Sequence, residues 1–86
     1  MDDAIAKTLL DRELAHLRGL GWRALAARLG SETKEITGPD GSAYQVESIV
    51  AWDAAPGGRL RLIVAIDDGG WRAFKPLTVD ELVDPG

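Results

Sequence analysis

One stretch constrains the fold of this chain more than any other: Arg59 to Pro76, which reads RLRLIVAIDDGGWRAFKP. Apolar and β-branched residues alternate along it, a turn signal follows at Asp68-Gly69-Gly70, and a second short run is closed by proline. The pattern is that of a β-hairpin. With Asp68 and Gly69 at the centre of a type I′ turn, Ile66 faces Trp71 and Val64 faces Ala73. With Gly69 and Gly70 there instead, every pairing slips and Trp71 meets Asp68. The first register is expected, because it keeps Leu60, Leu62, Val64, Ile66, Trp71 and Ala73 on one buried face.

The preceding residues also follow a period of two. Thr33 to Thr37 reads as a short strand, Pro39-Asp40-Gly41 as a turn, and Ala43 to Asp53 as a long strand rich in β-branched and aromatic residues. Pairing Asp53 with Arg59 across the Ala54-Ala55-Pro56-Gly57-Gly58 loop sets Trp52 opposite Leu60, Val50 opposite Leu62 and Val46 opposite Ile66. After Pro76, Thr78 and Glu81 have the spacing of a capping box, so a short helical turn is expected over residues 79 to 83.

The first thirty residues have a period near 3.6. Asp2 or Asp3 is placed to cap a helix that runs to about Arg18, with Ala6, Leu9, Leu10, Leu14 and Leu17 on one arc. Glu13 is the exception. It lies inside that arc with His16 one turn on, and is read as a rim residue that reaches water or pairs with His16 or an arginine. Gly19-Leu20-Gly21 interrupts the pattern. A second helix then starts near Trp22 and carries Trp22, Leu25, Ala26 and Leu29 on one face until Gly30 stops it. One long helix kinked at the glycines is the alternative.

These elements define an α+β fold: N-terminal helices packed on one face of a four-stranded antiparallel β-meander, with a short C-terminal helical turn. Eighty-six residues make a single domain, 1–86, divided into a helical half (1–30), a sheet (31–77) and a short helix with its tail (78–86). Trp22, Trp52 and Trp71 come from three elements and are expected to fill the layer between helices and sheet. Apolar residues make up 45% of the chain and charged residues 28%, the balance of a folded globular protein. No cysteine is present, Asp2 and Asp3 stand where a secretory leader carries basic residues, and no apolar run has the length of a membrane span. A cytoplasmic location with no membrane association is the expectation.

The residues offer little for catalysis. There is one histidine, no thiolate, no glycine-rich phosphate loop opening a helix and no cluster with metal-ligand spacing. Asp67-Asp68 at a strand end offers two carboxylates to a hard cation, but an aspartate before glycine in a turn needs no metal to explain it. Asp53 and Glu47 share a strand face without an acid or base partner brought close. No enzyme activity, cofactor or metal is expected.

The net charge of −4 is unevenly placed. Residues 1–30 hold five basic and four acidic side chains, and residues 31–86 hold five basic and ten acidic ones. A phosphate backbone is repelled by the acidic half, so nucleic acid is an unlikely partner. The stretch from Gly21 to Ser31, with its Leu29-Gly30, nevertheless resembles the first half of a helix-turn-helix. An alternative function as a nucleic-acid-binding regulator follows from it, with Arg23, Arg28 and Lys34 as phosphate contacts over residues 21–37. The segment in the place of a recognition helix, Glu32 to Thr37, carries two acids against one base and meets Gly38-Pro39 after less than two turns.

The C-terminal half carries Trp52-Asp53, Pro56-Gly57-Gly58, Ile66-Asp67-Asp68-Gly69-Gly70-Trp71-Arg72-Ala73-Phe74 and Pro76-Leu77-Thr78. On these motifs, residues 44 to 86 resemble small bacterial proteins of unknown function. The resemblance implies a bacterial origin and a common β scaffold, and nothing about mechanism.

Alternation also decides what the second sheet face carries. Ile49 stands opposite Ile63 with Phe74 alongside, surrounded by Glu47, Arg61, Arg72 and the pair Asp53 and Arg59. An apolar centre with a charged rim is the anatomy of a protein interface. Two readings stand: a non-enzymatic interaction module that binds a protein partner or itself as a homodimer through this face, or a face covered by the chain's own Leu77 to Val83 segment. In a homodimer, Arg61 and Arg72 of one copy would meet Glu47 and Asp53 of its mate.

Overall fold

A computed structural model describes residues 1–70 and 75–86. Helix α1 spans Asp3–Ala26, and strands β1 (Gly30–Thr37), β2 (Ala43–Trp52), β3 (Leu60–Asp67) and β4 (Leu77–Val83) follow in order. The strands form one antiparallel sheet in the order β1-β2-β3-β4. The α+β meander expected from the sequence is present, with its single helix on one face.

Asp2 caps α1: its side chain accepts hydrogen bonds from the N–H groups of Ala4 (3.0 Å) and Ile5 (3.2 Å), two of the donors a helix start leaves without partners. Both sequence readings of the glycine interruption are partly met. The helix continues past it, but Gly21 has φ 84° and ψ 161°, so two helical segments abut at a sharp break. The second segment is short. It ends at Ala26, leaving Leu29 beyond the helix and exposed, and Gly30 opens β1 instead of closing a helix.

The helix buries Ala6, Leu9, Leu10, Leu17 and Leu25 against the inner sheet face, formed by Tyr44, Val46 and Val50 of β2 and by Leu60, Leu62, Val64 and Ile66 of β3. Ladder pairing between β2 and β3 is the one expected, with Val46↔Ile66, Val50↔Leu62 and Trp52↔Leu60, and the Asp53 N–H donates to the Arg59 carbonyl at 2.9 Å. Trp22 closes one end of this layer. Its indole N–H donates to the Gly58 carbonyl at 2.7 Å, and its ring stands 6.0 Å from that of Trp52. Trp71, expected in the same layer, lies outside the described residues.

The fourth strand corrects the sequence reading in two ways. Ile66 pairs with Leu77 and Val64 with Val79, so β3 is bordered by Leu77–Val83, and the partners expected for these residues, Trp71 and Ala73, lie outside the described residues. At the end of β3, Asp67 and Asp68 turn their carboxylates back onto the N–H groups of Gly69 (2.8 Å) and Gly70 (3.1 Å). Among the described residues, the partner of β3 on this side begins at Leu77, which stands opposite Ile66. Residues 77–83 are consequently a strand and not the helical turn that Thr78 and Glu81 suggested. Leu77, Val79 and Val83 alternate toward the helix, and seven residues of ladder hydrogen bonding outweigh a local cap.

The helix packs chiefly on β3 and β4, less on β2, and meets little of β1. Both edge strands turn charged side chains toward the helix side of the sheet. Lys34 of β1 meets Glu13 at 2.7 Å, and Glu81 of β4 meets Arg18 at 2.9 Å. Glu13 and Arg18 are five residues apart, about 140° around the helix, so they stand on opposite flanks of its buried stripe. Inward charges on edge strands also discourage edge-to-edge pairing with other chains.

Candidate functional site

The face of the sheet turned away from α1 is the strongest candidate. Ile49 and Ile63 are directly paired at its centre, as expected, with Ala51 and Ala65 beside them. All four are half-buried. The expected alternative cover is excluded: Leu77–Val83 lies in the plane of the sheet as β4 and does not fold across it. Among the described residues no element lies over this face. Phe74 and Arg72, assigned to the same patch from the sequence, lie outside the described residues.

Alternation in β4 adds three members that the sequence reading missed because it gave these residues to a helix. Thr78 faces outward beside Ala65, Asp80 opposite Ile63, and Leu82 opposite Arg61. Leu82 is 40% exposed, one of the few large apolar side chains so open to water.

The charged rim differs from the one expected. Arg61 is not free to reach a second copy: its Nη2 stands 2.9 Å from Oδ1 of Asp53, and its Nη1 bonds Asp80. The Asp53 hydrogen bond and charge, with a smaller contribution from Asp80, hold the Arg61 guanidinium above its ordinary range, so it stays charged. Arg59 stands opposite Asp53 through the backbone as expected, but its guanidinium pairs with Asp84 at 2.7 Å and is likewise raised by it. Glu47 stands on the same face with no ion pair among the described residues. Among the described residues the rim is internally bonded around Arg61 and Arg59, and Glu47 is left without an ion pair.

A second polar locus lies on the inner side, where the helix leaves β1 uncovered. A cleft of about 340 Å³ is lined by Glu13, His16, Arg28, Glu32, Lys34 and Ser48. Glu13 (8% exposed) and Ser48 (6%) are its buried polar walls. The Glu13 carboxylate, legible in the sequence as the exception in an apolar arc, is answered by Lys34 and not by His16 or an arginine. Arg28 is bonded to Glu32. The cations at the mouth are thus already paired within the chain.

The residues proposed for nucleic acid do not form one surface of free cations. Lys34 and Arg28 are taken up in those two ion pairs, and Arg23 stands exposed on α1. The segment that would be a recognition helix, Glu32 to Thr37, is part of β1, with Glu32↔Ser48 and Ile36↔Tyr44 in the ladder. Thr33, Ile36 and Thr37 favour strand, and Gly38-Pro39 leaves a helix no room to continue. The helix-turn-helix resemblance therefore ends at its first helix. The Asp67 and Asp68 carboxylates are occupied by backbone N–H groups, and among the described residues no three metal-ligating side chains converge. No helix of the described residues is long and apolar enough to cross a membrane.

Comparison with models of protein families, with curated proteins and with solved structures gives no match to this chain.

Proposed function

We propose that this protein is a non-enzymatic interaction module that receives another polypeptide on the outer face of its sheet. The observation that carries the reading is the paired Ile49 and Ile63 at the centre of a face that no described element covers. The other face is already filled by α1, and a domain of this size has no further described segment to lay over the second. The two isoleucines are already half-buried and Leu82 is 40% exposed, so burying what remains of each contributes less than the roughly 1.5 to 3 kcal/mol of a fully exposed aliphatic side chain, before the cost of association is subtracted. That bound supports a real but modest contact.

A photo-crosslinking residue placed at Ala65, on this face, tests the proposal in the cells that naturally make the protein. The same residue at Ala15, exposed on α1, is the control. Discrete adducts from Ala65 that are absent from Ala15 are expected. No adduct, or the same adducts from both positions, overturns the reading.

A further inference from the structure

We infer that the polypeptide received by the outer face is a basic one with an apolar anchor, and not a second copy of this chain; the inference rests on reading that face as a docking surface. Around Ile49 and Ile63 the face presents Glu47, Asp53, Asp67 and Asp80. The nearby guanidinium, Arg61, is already divided between Asp53 and Asp80. Among the described residues, Arg61 and Arg59 of this face are already paired within the chain, so two identical copies meeting here would bring carboxylates chiefly against carboxylates. Like charges placed together in a partly dry contact cost several kcal/mol, enough to cancel what the apolar centre supplies.

Area points the same way. Four strands spaced about 4.8 Å apart, each contributing about eight residues at 3.3 Å, make a face on the order of 500 Å². A stable symmetric pair buries about 800 Å² per partner. A Lys- or Arg-bearing segment is not bound by that limit. It lays an apolar side chain against Ile49 and Ile63 while its cations reach Glu47 and the oxygen of Asp80 that Arg61 does not hold. Such a contact is weak, fast to form and sensitive to salt.

The test is a chemical-shift titration of the isotopically labelled full chain with two synthetic peptides, one of alternating lysine and leucine and one of alternating glutamate and leucine. The basic peptide is expected to shift the amides of Ile49, Ala51, Ile63 and Ala65, with affinity falling about tenfold or more between roughly 0.05 M and 0.5 M salt. Glu47→Lys should weaken it several-fold with the apolar centre intact, and Ile63→Lys should abolish it. Ile63→Lys is expected to fold, since the new ammonium faces Asp80 across the ladder. Equal binding of the acidic peptide, or outer-face shifts that grow with protein concentration alone, overturns the inference about charge and leaves the docking face standing. Shifts that fall elsewhere, or that survive Ile63→Lys, overturn the docking face itself.

Discussion

Oε2 of Glu13 lies 2.7 Å from Nζ of Lys34, joining a buried carboxylate on the apolar arc of α1 to the inward-facing charge of edge strand β1. The lysine side chain is half exposed, so the pair is worth less than a fully dry one, and much of the effect of breaking it comes from the carboxylate left behind. Lys34→Met is expected to cost about 1 to 2 kcal/mol, and adding Glu13→Leu to restore most of that loss. Denaturant melts of the two single variants and the double variant measure the coupling. Strictly additive losses would show that the pair is incidental.

The two glycines of the helix interruption should respond in opposite directions. Gly21 has φ 84° with ψ 161°, a conformation nearly confined to glycine, so Gly21→Ala is expected to cost about 1 to 3 kcal/mol. Gly19 is helical, and a methyl group there meets nothing within 4 Å. Gly19→Ala should therefore stabilise by about 0.5 to 1 kcal/mol, read as a raised melting midpoint.

Asp40 and Tyr44 make stability fall at both ends of the pH scale. Burial pushes the Asp40 carboxyl up, but hydrogen bonds from Ser42 and from the Tyr44 hydroxyl (3.1 Å) outweigh it and hold the group below its ordinary 3.8. A depressed carboxyl contributes stability that is complete above the unfolded value and lost as pH falls through the folded one. Burial, then the bond to Asp40, raises the Tyr44 phenol above its ordinary 10.0, so its contribution is complete below that value and lost as pH climbs past it. Tyr44→Phe should flatten the alkaline limb fully and the acid limb in part. Unchanged slopes on both limbs in a pH series of melts would contradict this.

Adjacent positions on β3 separate the two sheet faces. Leu62 is fully buried against the helix, and Leu62→Ala is expected to cost about 2 to 5 kcal/mol. Ile63, its neighbour, points the other way, and Ile63→Lys should cost about 1 kcal/mol or less. Equal losses in a pair of denaturant titrations would mean that the outer face is covered.

Much of this was legible in the sequence where residue choice and position agree. An apolar, β-branched run from Leu60 to Ile66 and a loop of fixed length after Asp53 set the β2–β3 register, and with it the pairing of Ile49 with Ile63. Glu13 stood out as a charge in an apolar arc. Its partner was hidden because Lys34 becomes an inward residue only once β1 is registered against Val46. Residues 77 to 83 misled because Thr78 and Glu81 mimic a helix cap. Glu81 interrupts the apolar alternation of a strand, and the distant Arg18 answers its carboxylate there. The pairing of Arg61 within the chain was hidden for a similar reason: the carboxylates it meets include Asp80, whose outward place follows only from β4.

The central claim, that the outer sheet face is a docking surface, is tested most directly by the crosslinking yield at Ala65 with and without Ile63→Lys. The expected result is a protein that melts close to the wild type and has lost its Ala65 adducts. Adducts that persist undiminished in folded Ile63→Lys would contradict it.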